Sequence, residues 1–160
     1  MLIGIISDSH DHLGNLRRAL VLFRERGVEL VLHAGDFVSP FVSEPFWELG
    51  MRVIGVFGNN DGDKLYLRER FSGVGELHFG PHELVLEGRR IVLMHEPRAL
   101  SAFLASGQYD LIVYGHTHKP EIRGGRPLLI NPGELGGWLT GQPSAALVDL
   151  EALKGELLRL

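Results

Sequence analysis

The segment Leu2-Ile3-Gly4-Ile5-Ile6-Ser7-Asp8-Ser9-His10 joins a short apolar run to polar residues. Continuous apolar runs of this length are typical of strands that are covered on both faces of a sheet. In sheets of such strands, ligands gather just beyond the carboxyl ends of the strands. The same arrangement recurs four more times, and the later runs end at Gly35-Asp36, Gly58-Asn59-Asn60-Asp61, His95-Glu96 and Gly115-His116-Thr117-His118. These oxygen and imidazole donors therefore predict one shared site.

Helical periodicity separates the strand-like runs in the first half of the chain. Leu13, Leu16, Leu20 and Phe23 predict a helix over residues 13–26, with Asp11 as its N-cap and a stop at residue 27. Further helices are predicted over residues 41–49, 64–71 and 99–105, so the first half is typical of a βαβαβ arrangement. The second half predicts hairpins around residues 88–90 and 124–126 and two last strands over 145–150 and 155–160. This number of strands favours two packed sheets with helices outside.

The composition favours one globular domain over residues 1–160, because 44% of the residues are hydrophobic and 22% are charged. No apolar run reaches about eighteen residues, so no membrane span is expected. The chain has no cysteine, and its N-terminus enters strand-like sequence at Leu2 without a secretory signal, so a cytoplasmic location is expected. The net charge is −4 and the basic residues are scattered. Long nucleic acid is therefore not expected as a partner, and a small phosphate substrate is favoured.

Asp8 and His10 are two residues apart after the first strand, and the alternation of a strand directs both side chains to one side. Asp36 follows Gly35, whose missing side chain allows a close approach of the backbone. An aspartate after a strand also serves commonly as a turn residue or a helix cap. That reading suffices for each residue alone, but it explains the Asp8–His10 pair less well.

Asn59 lies in a segment with turn composition, where it acts either as a turn residue or as an amide ligand. His95 alone is interpreted most simply as a histidine at a strand end. His116 and His118 form a stronger signal, because two imidazoles two residues apart after a buried strand make a chelating pair. Without cysteine, the available donors are imidazole, carboxylate and amide groups, which suit Mn, Fe, Zn, Ni or Mg.

The remaining histidines carry weaker predictions. His33 lies within an apolar run, so we expect it to be a core group or to support a ligand by a hydrogen bond. His12 either contacts substrate or lies on the surface, and His78 and His82 are expected to face solvent. The chain lacks a Walker phosphate loop, a dinucleotide-binding glycine motif and a nucleophile-elbow serine.

The order of these blocks resembles the calcineurin-like metallophosphoesterase superfamily, and especially its small single-domain prokaryotic phosphodiesterases. The resemblance runs from Leu2 to His118, and Asn131-Pro132-Gly133 resembles a further element of the family. It implies a four-layer α/β/β/α sandwich of two mixed sheets with helices outside, and a dinuclear metal centre whose bound hydroxide attacks phosphorus. One metal ion would be bound by Asp8, His10, Asp36 and His118, and the other by Asp36, Asn59, His95 and His116. Asp36 would bridge the two ions, and Asp36, Asn59 and His95 would take part in catalysis.

The chain departs from the family pattern at several positions. Asn60 occupies a position where many members have a histidine that contacts phosphate or protonates the leaving group. Glu96 and Glu134 stand where glycine and serine are common, and the sequence does not indicate what either recognises. Asp61 is expected to support the ligands by hydrogen bonds, and Arg98 is a candidate phosphate contact.

These features predict a divalent-metal-dependent phosphoesterase that uses two ions, with Mn favoured, and that hydrolyses phosphodiesters in preference to monoesters. Two alternatives stay open. Members such as the retromer scaffold subunit are non-catalytic binding modules on the same fold, but they have lost metal ligands, whereas all seven positions here hold donors. A purely structural metal site would have closed coordination. The oligomeric state stays open, with a homo-oligomer as one alternative. Aromatic residues that could form a subunit interface are Phe37, Phe41, Phe46, Trp47 and Trp138, but core packing is the more common role for most such residues.

Overall fold

The computed structural model describes residues 1–160, and its eleven strands form two sheets. The first sheet contains β1 (Leu2–Ile6), β2 (Leu30–His33), β3 (Val53–Val56), β4 (Gly75–His78), β10 (Ser144–Asp149) and β11 (Lys154–Arg159), in the order β11-β10-β1-β2-β3-β4. The second sheet contains β5 (His82–Leu86), β6 (Arg89–Leu93), β7 (Leu111–Val113), β8 (Glu121–Arg123) and β9 (Leu128–Asn131), in the order β5-β6-β7-β9-β8. Both sheets have a parallel centre, formed by β1-β2-β3-β4 and by β6-β7-β9, and antiparallel strands beside it.

Four α-helices cover the outer faces of the sheets: α1 (Leu13–Glu25), α2 (Glu44–Leu49), α3 (Lys64–Phe71) and α4 (Leu100–Ser106). Short 3-10 turns precede α2 at Pro40–Ser43 and α4 at Pro97–Ala99. Leu16, Leu20 and Phe23 form the buried stripe of α1, as their spacing predicts. No helix combines the length and the apolar character that a bilayer-spanning segment requires.

Three apolar clusters separate the layers. The first joins α1, α2 and α3 to the first sheet and includes Leu20, Phe46 and Phe71. The second lies between the sheets and consists largely of Ile, Leu and Val side chains from β1, β2, β6, β7 and β9. The third packs α4 on the second sheet. The observed order of layers is helices, sheet, sheet and helix, which confirms the four-layer α/β/β/α prediction.

Some local predictions were wrong. The N-cap of α1 is His12, whose Nδ1 accepts a hydrogen bond from the Asn15 amide at 3.1 Å, whereas the Asp11 carboxylate accepts from the Ser39 amide instead. The strand β4 was not predicted, because its four residues lack a continuous apolar run. Phe37 and Phe46 are fully buried, in agreement with the alternative of core packing, so neither contributes to an exposed interface. His78 and His82 are half-buried and stack on each other at 3.7 Å.

Candidate metal centre

All seven predicted ligands lie just beyond the carboxyl ends of β1, β2, β3, β6 and β7. Parallel pairing places the ends of β1, β2 and β3 at one edge of the first sheet, and the ends of β6 and β7 at one edge of the second. Within the first sheet, the Asp8 amide donates to the Gly35 carbonyl at 2.9 Å. The two edges meet, since the Asp8 carboxylate accepts from the His116 amide at 3.0 Å. The topology thus gathers donors that are more than 100 residues apart in sequence.

Asp8, His10 and His118 form one group of converging donor atoms. His118 Nε2 lies 3.1 Å and His10 Nε2 lies 3.7 Å from Asp8 Oδ1. Asp8 is fully buried, and its Oδ1 atom has no hydrogen-bond partner, nor has the buried His10 Nε2. Buried polar atoms are almost always satisfied in folded proteins. A carboxylate oxygen and an imidazole nitrogen that both lack a partner and face each other are therefore suited to a shared cation.

Asn59, His95 and His116 form a second convergence of donors. Asn59 Oδ1 lies 2.9 Å from His95 Nε2 and 3.0 Å from His116 Nδ1, and these two nitrogens are 3.3 Å apart. His95 Nδ1 lies 2.7 Å from the Ala34 carbonyl oxygen. A carbonyl oxygen can accept a hydrogen bond but cannot donate one, so Nδ1 carries the proton. In the neutral ring, Nε2 then offers a lone pair toward Asn59 Oδ1. Lone pairs that point at one another are suited to binding a cation between them.

Asp36 lies between the two groups. Its Oδ2 atom is 3.6 Å from His10 Nε2 and 3.4 Å from His95 Nε2. Asn60 donates from its amide N–H to Oδ1 at 2.8 Å and from its side chain to Oδ2 at 2.7 Å. Asp36 is buried and held in this orientation, which is the position that a bridging carboxylate needs. Asp8 also lies within reach of Asp36 and His95, so two carboxylates stand at the centre of the cluster.

The ligand loops have unusual backbone conformations. Asp8, His10, Asp36, His116 and His118 all have positive φ angles, between 42° and 66°. L-residues adopt this left-handed region rarely, and such strain concentrates at functional sites. Two glycines permit the close approach of these loops. A Cβ atom on Gly58 would lie 2.1 Å from Asp36 Oδ1, and one on Gly35, which has φ +99°, would lie 2.6 Å from His95 Nδ1.

The protonation equilibria of the cluster are coupled to its carboxylates. Burial opposes ionisation of Asp8, but the adjoining imidazoles of His10 and His118 and the hydrogen bond from Ser7 outweigh this effect and hold the pKa of Asp8 well below its usual value. The Asp8 carboxylate in turn raises the pKa of His10 and His118. Burial disfavours the charged form of His95, yet the adjoining Asp36 carboxylate raises its pKa overall. The cluster therefore attracts positive charge, and bound metal ions would displace protons from these imidazoles.

Two further predicted residues support the ligands. His33 is fully buried; its Nδ1 accepts from the Gly35 amide at 3.1 Å and its Nε2 lies 3.0 Å from Ser9 Oγ. Asp61 accepts from the Gly58 amide at 2.6 Å, so it fixes the turn that presents Asn59. Burial is the main cause that raises the pKa of Asp61. His12 caps α1, which gives it a structural role at the edge of the site.

The hydrogen bonds of Glu134, at the edge of the site, explain one of the departures from the family pattern. Glu134 is buried, and its carboxylate accepts hydrogen bonds from the backbone amides of Leu139 and Thr140 at 2.9–3.2 Å. It therefore braces a turn. Glu96 forms an ion pair with the exposed Arg98. Both residues line a cavity that is also lined by His95.

Sequence reasoning missed Trp138 and Leu139, which line the cavity over His10, His116 and His118. From the sequence alone, Trp138 is only a candidate for a subunit interface or for core packing. The available signal was its position: a tryptophan that follows Gly136-Gly137, shortly after Gly133 and the predicted family element.

Comparisons with known proteins agree with this geometry. The model of the calcineurin-like phosphoesterase superfamily domain matches residues 1–153. The phosphodiesterase MJ0936 of Methanocaldococcus jannaschii is 39% identical over 156 residues, which cover 94% of each chain. The structure of an archaeal phosphodiesterase superposes with a TM-score of 0.94 at 36% identity and full coverage of both chains. A Vps29 variant from Entamoeba histolytica has a TM-score of 0.68 at 21% identity over 100% of this chain and 99% of its own, which shows likeness of fold alone.

The fold and the family match together show that this chain is a phosphoesterase of the metal-dependent class. More specifically, the chain belongs to the calcineurin-like phosphoesterase superfamily, and its match extends over nearly the whole sequence.

Proposed function

We propose that this protein hydrolyses phosphodiesters with the help of two divalent cations, and that Asp8, His10, Asp36, Asn59, His95, His116 and His118 bind them. The observation that carries the proposal is the position of Asp36 Oδ2, within 3.6 Å of one imidazole from each donor group. Two cations that lie close together need an anionic ligand between them to offset their repulsion. The carboxylate, amide and imidazole donors suit Mn, Fe, Zn, Ni or Mg, and among these we propose Mn²⁺ as the native metal.

When bound, the cation pair supplies an activated water molecule and the positive charge that stabilises phosphoryl transfer. The chain itself contributes the positioning of the ligands. The Ala34 carbonyl fixes the tautomer and the orientation of His95 through Nδ1. Asn60 holds both oxygens of Asp36, and the Ser7 hydroxyl donates to Asp8 Oδ2 at 2.5 Å. These hydrogen bonds keep the carboxylates ionised and correctly directed.

The name phosphodiesterase carried by MJ0936 supports a preference for diesters over monoesters. Asn60 supports the same preference, because an amide has no titratable proton to give to a poor leaving group. A small phosphate ester fits a site that is bordered by two cavities of about 310 and 350 Å³.

The test is hydrolysis of bis(p-nitrophenyl) phosphate and of p-nitrophenyl phosphate by the purified protein loaded with Mn²⁺. We expect faster turnover of the diester, and loss of turnover in Asp36→Asn and His116→Ala. Asp149→Asn and His82→Ala are matched controls, since both residues lie outside the cluster, and they are expected to keep activity. Full activity of either cluster variant would contradict the proposed site, and absence of turnover in the loaded wild type would favour a binding module.

A further inference from the structure

A cavity of about 350 Å³ opens directly over the donor cluster. The cavity is lined by cluster residues, among them His10, His116 and His118, and by an apolar wall of Trp138 and Leu139. These two side chains are 65% and 82% exposed. The volume is within the range of small-molecule binding sites. An apolar wall and strongly polar donors therefore line the same space, which a small molecule can fill.

The apolar wall is held in place by the cluster itself. Trp138 Nε1 donates to the His10 carbonyl oxygen at 3.0 Å, and the indole ring lies 4.9 Å from the His12 ring, centroid to centroid. The backbone before it is tied to a ligand loop, because the Gly136 amide donates to the Asp8 carbonyl oxygen at 3.0 Å. The backbone after it is tied to the buried Glu134 carboxylate. The indole is thus exposed and oriented at once.

An exposed tryptophan whose ring is held in a fixed orientation is suited to stacking on a ligand. Indole rings stack on flat aromatic groups, and such stacking discriminates against saturated or small groups. The core does not need Trp138, since it takes part in none of the three apolar clusters. Its place beside the donors makes it available to a group that is covalently attached to a phosphate bound there.

We propose that Trp138, with Leu139, binds a flat aromatic ester group of the substrate, such as an aryl group or a nucleobase. The inference rests on the proposed function and deepens it, because it specifies the class of phosphodiester: an ester with at least one aromatic substituent. Trp138 then determines which substrates bind, and it does not contact the reacting phosphate group.

The first experiment measures inhibition constants in the Mn²⁺-loaded enzyme, with a chromogenic diester as the reporter. Phenyl phosphate and adenosine 5′-monophosphate carry a flat ring, and methyl phosphate is the matched anion without one. We expect the wild type to bind the two aromatic phosphates about tenfold more tightly than methyl phosphate, in line with base–aromatic stacking. Trp138→Ala should remove this difference and leave the constant for methyl phosphate within about twofold, and Trp138→Phe should retain most of it.

Phe41→Ala is the matched control, because Phe41 is 71% exposed but lines a separate cavity with Glu44, Tyr66 and Arg70. It is expected to change none of the constants. If Trp138→Ala weakens all three inhibitors equally, Trp138 acts only by bracing His10 and the inference is overturned. It is also overturned if the wild type does not prefer the aromatic phosphates.

The second experiment needs no turnover, so it separates this inference from the proposed function. The chain has two tryptophans, and Trp47→Phe leaves Trp138 as the only one. In this Mn²⁺-loaded variant, phenyl phosphate should quench the indole fluorescence saturably, and methyl phosphate should not. Equal responses, or no response to phenyl phosphate, would overturn the inference even in an active enzyme. Selective quenching in a protein that cleaves no diester would support the aromatic site while the proposed function fails.

Discussion

Replacement of His33 by asparagine is expected to remove much of the acid sensitivity of the fold. His33 is fully buried and stacks on Phe37 at 3.7 Å. Because the Gly35 amide donates to Nδ1, the ring proton resides on Nε2, which faces Ser9 Oγ, and the ring is neutral. Protonation of Nδ1 would break the bond to Gly35 and place a charge in the core.

The expected change in the free energy of unfolding with pH follows from the lowered pKa of His33. Burial lowers the pKa of His33 to about 3 from the usual 6.5. In the unfolded chain the imidazole takes up a proton below pH 6.5, whereas the folded protein resists it. The stability from the neutral ring is therefore fully present above pH 6.5 and is lost as the pH falls toward 3. The free energy of unfolding should decrease by about 1.4 kcal/mol per pH unit, or about 2 kcal/mol between pH 6.5 and pH 5.

The assay is urea unfolding of the wild type and His33→Asn between pH 7.5 and pH 5, in EDTA so that loss of metal contributes nothing. The His33→Asn variant should be less stable at pH 7.5 by about 1–2 kcal/mol, because it loses the packing on Phe37 and the contact with Ser9. At pH 5 the wild type should have lost about 2 kcal/mol of this advantage, so the difference should vanish or reverse in sign. Two curves that stay parallel over this range would refute the neutral, buried state of His33.

Three further predictions concern the site. A Mn²⁺ concentration one hundred times the Kd should stabilise the fold by about 2.7 kcal/mol per site and raise Tm in scanning calorimetry by about 5–10 °C; an unchanged Tm would contradict metal binding to the folded chain. Gly35→Ala should lose diesterase activity and more stability in urea than Gly27→Ala. Both glycines have positive φ, but only at position 35 would a Cβ meet His95, and equal losses would contradict this. Asn60→His should weaken the dependence of the rate on leaving-group pKa across a series of aryl diesters; an unchanged dependence would remove the role assigned to Asn60.

The strand-end pattern predicted the edge at which the donors meet, and the number of strands predicted two packed sheets with helices outside. Apolar runs such as Ile91 to Met94 identify strands that are covered on both faces, and the polar residue that follows marks the end of the strand. The pairing of β1 with β10 and the crossing of the chain between the two sheets depend on contacts distant in sequence. Periodicity alone does not contain this information.

Capping and rim residues were harder to predict for a different reason. Asp11 has the composition of an N-cap, but the histidine beside it reaches the Asn15 amide. The sequence does not indicate what Glu134 contacts, and only the folded turn shows that backbone amides donate hydrogen bonds to it. The position of Trp138 beside His10 likewise depends on the conformation of its loop, which the sequence does not reveal. Such roles arise from local geometry and leave no periodic signal.

The most direct measurement is the metal content of Mn²⁺-loaded protein after desalting, determined by mass spectrometry for the wild type, Asp36→Asn and Asp149→Asn. A carboxylate shared by two cations predicts two ions per chain in the wild type and in Asp149→Asn, and fewer than one in Asp36→Asn. If Asp36→Asn retained two ions, or the wild type bound none, the shared-carboxylate centre would be contradicted.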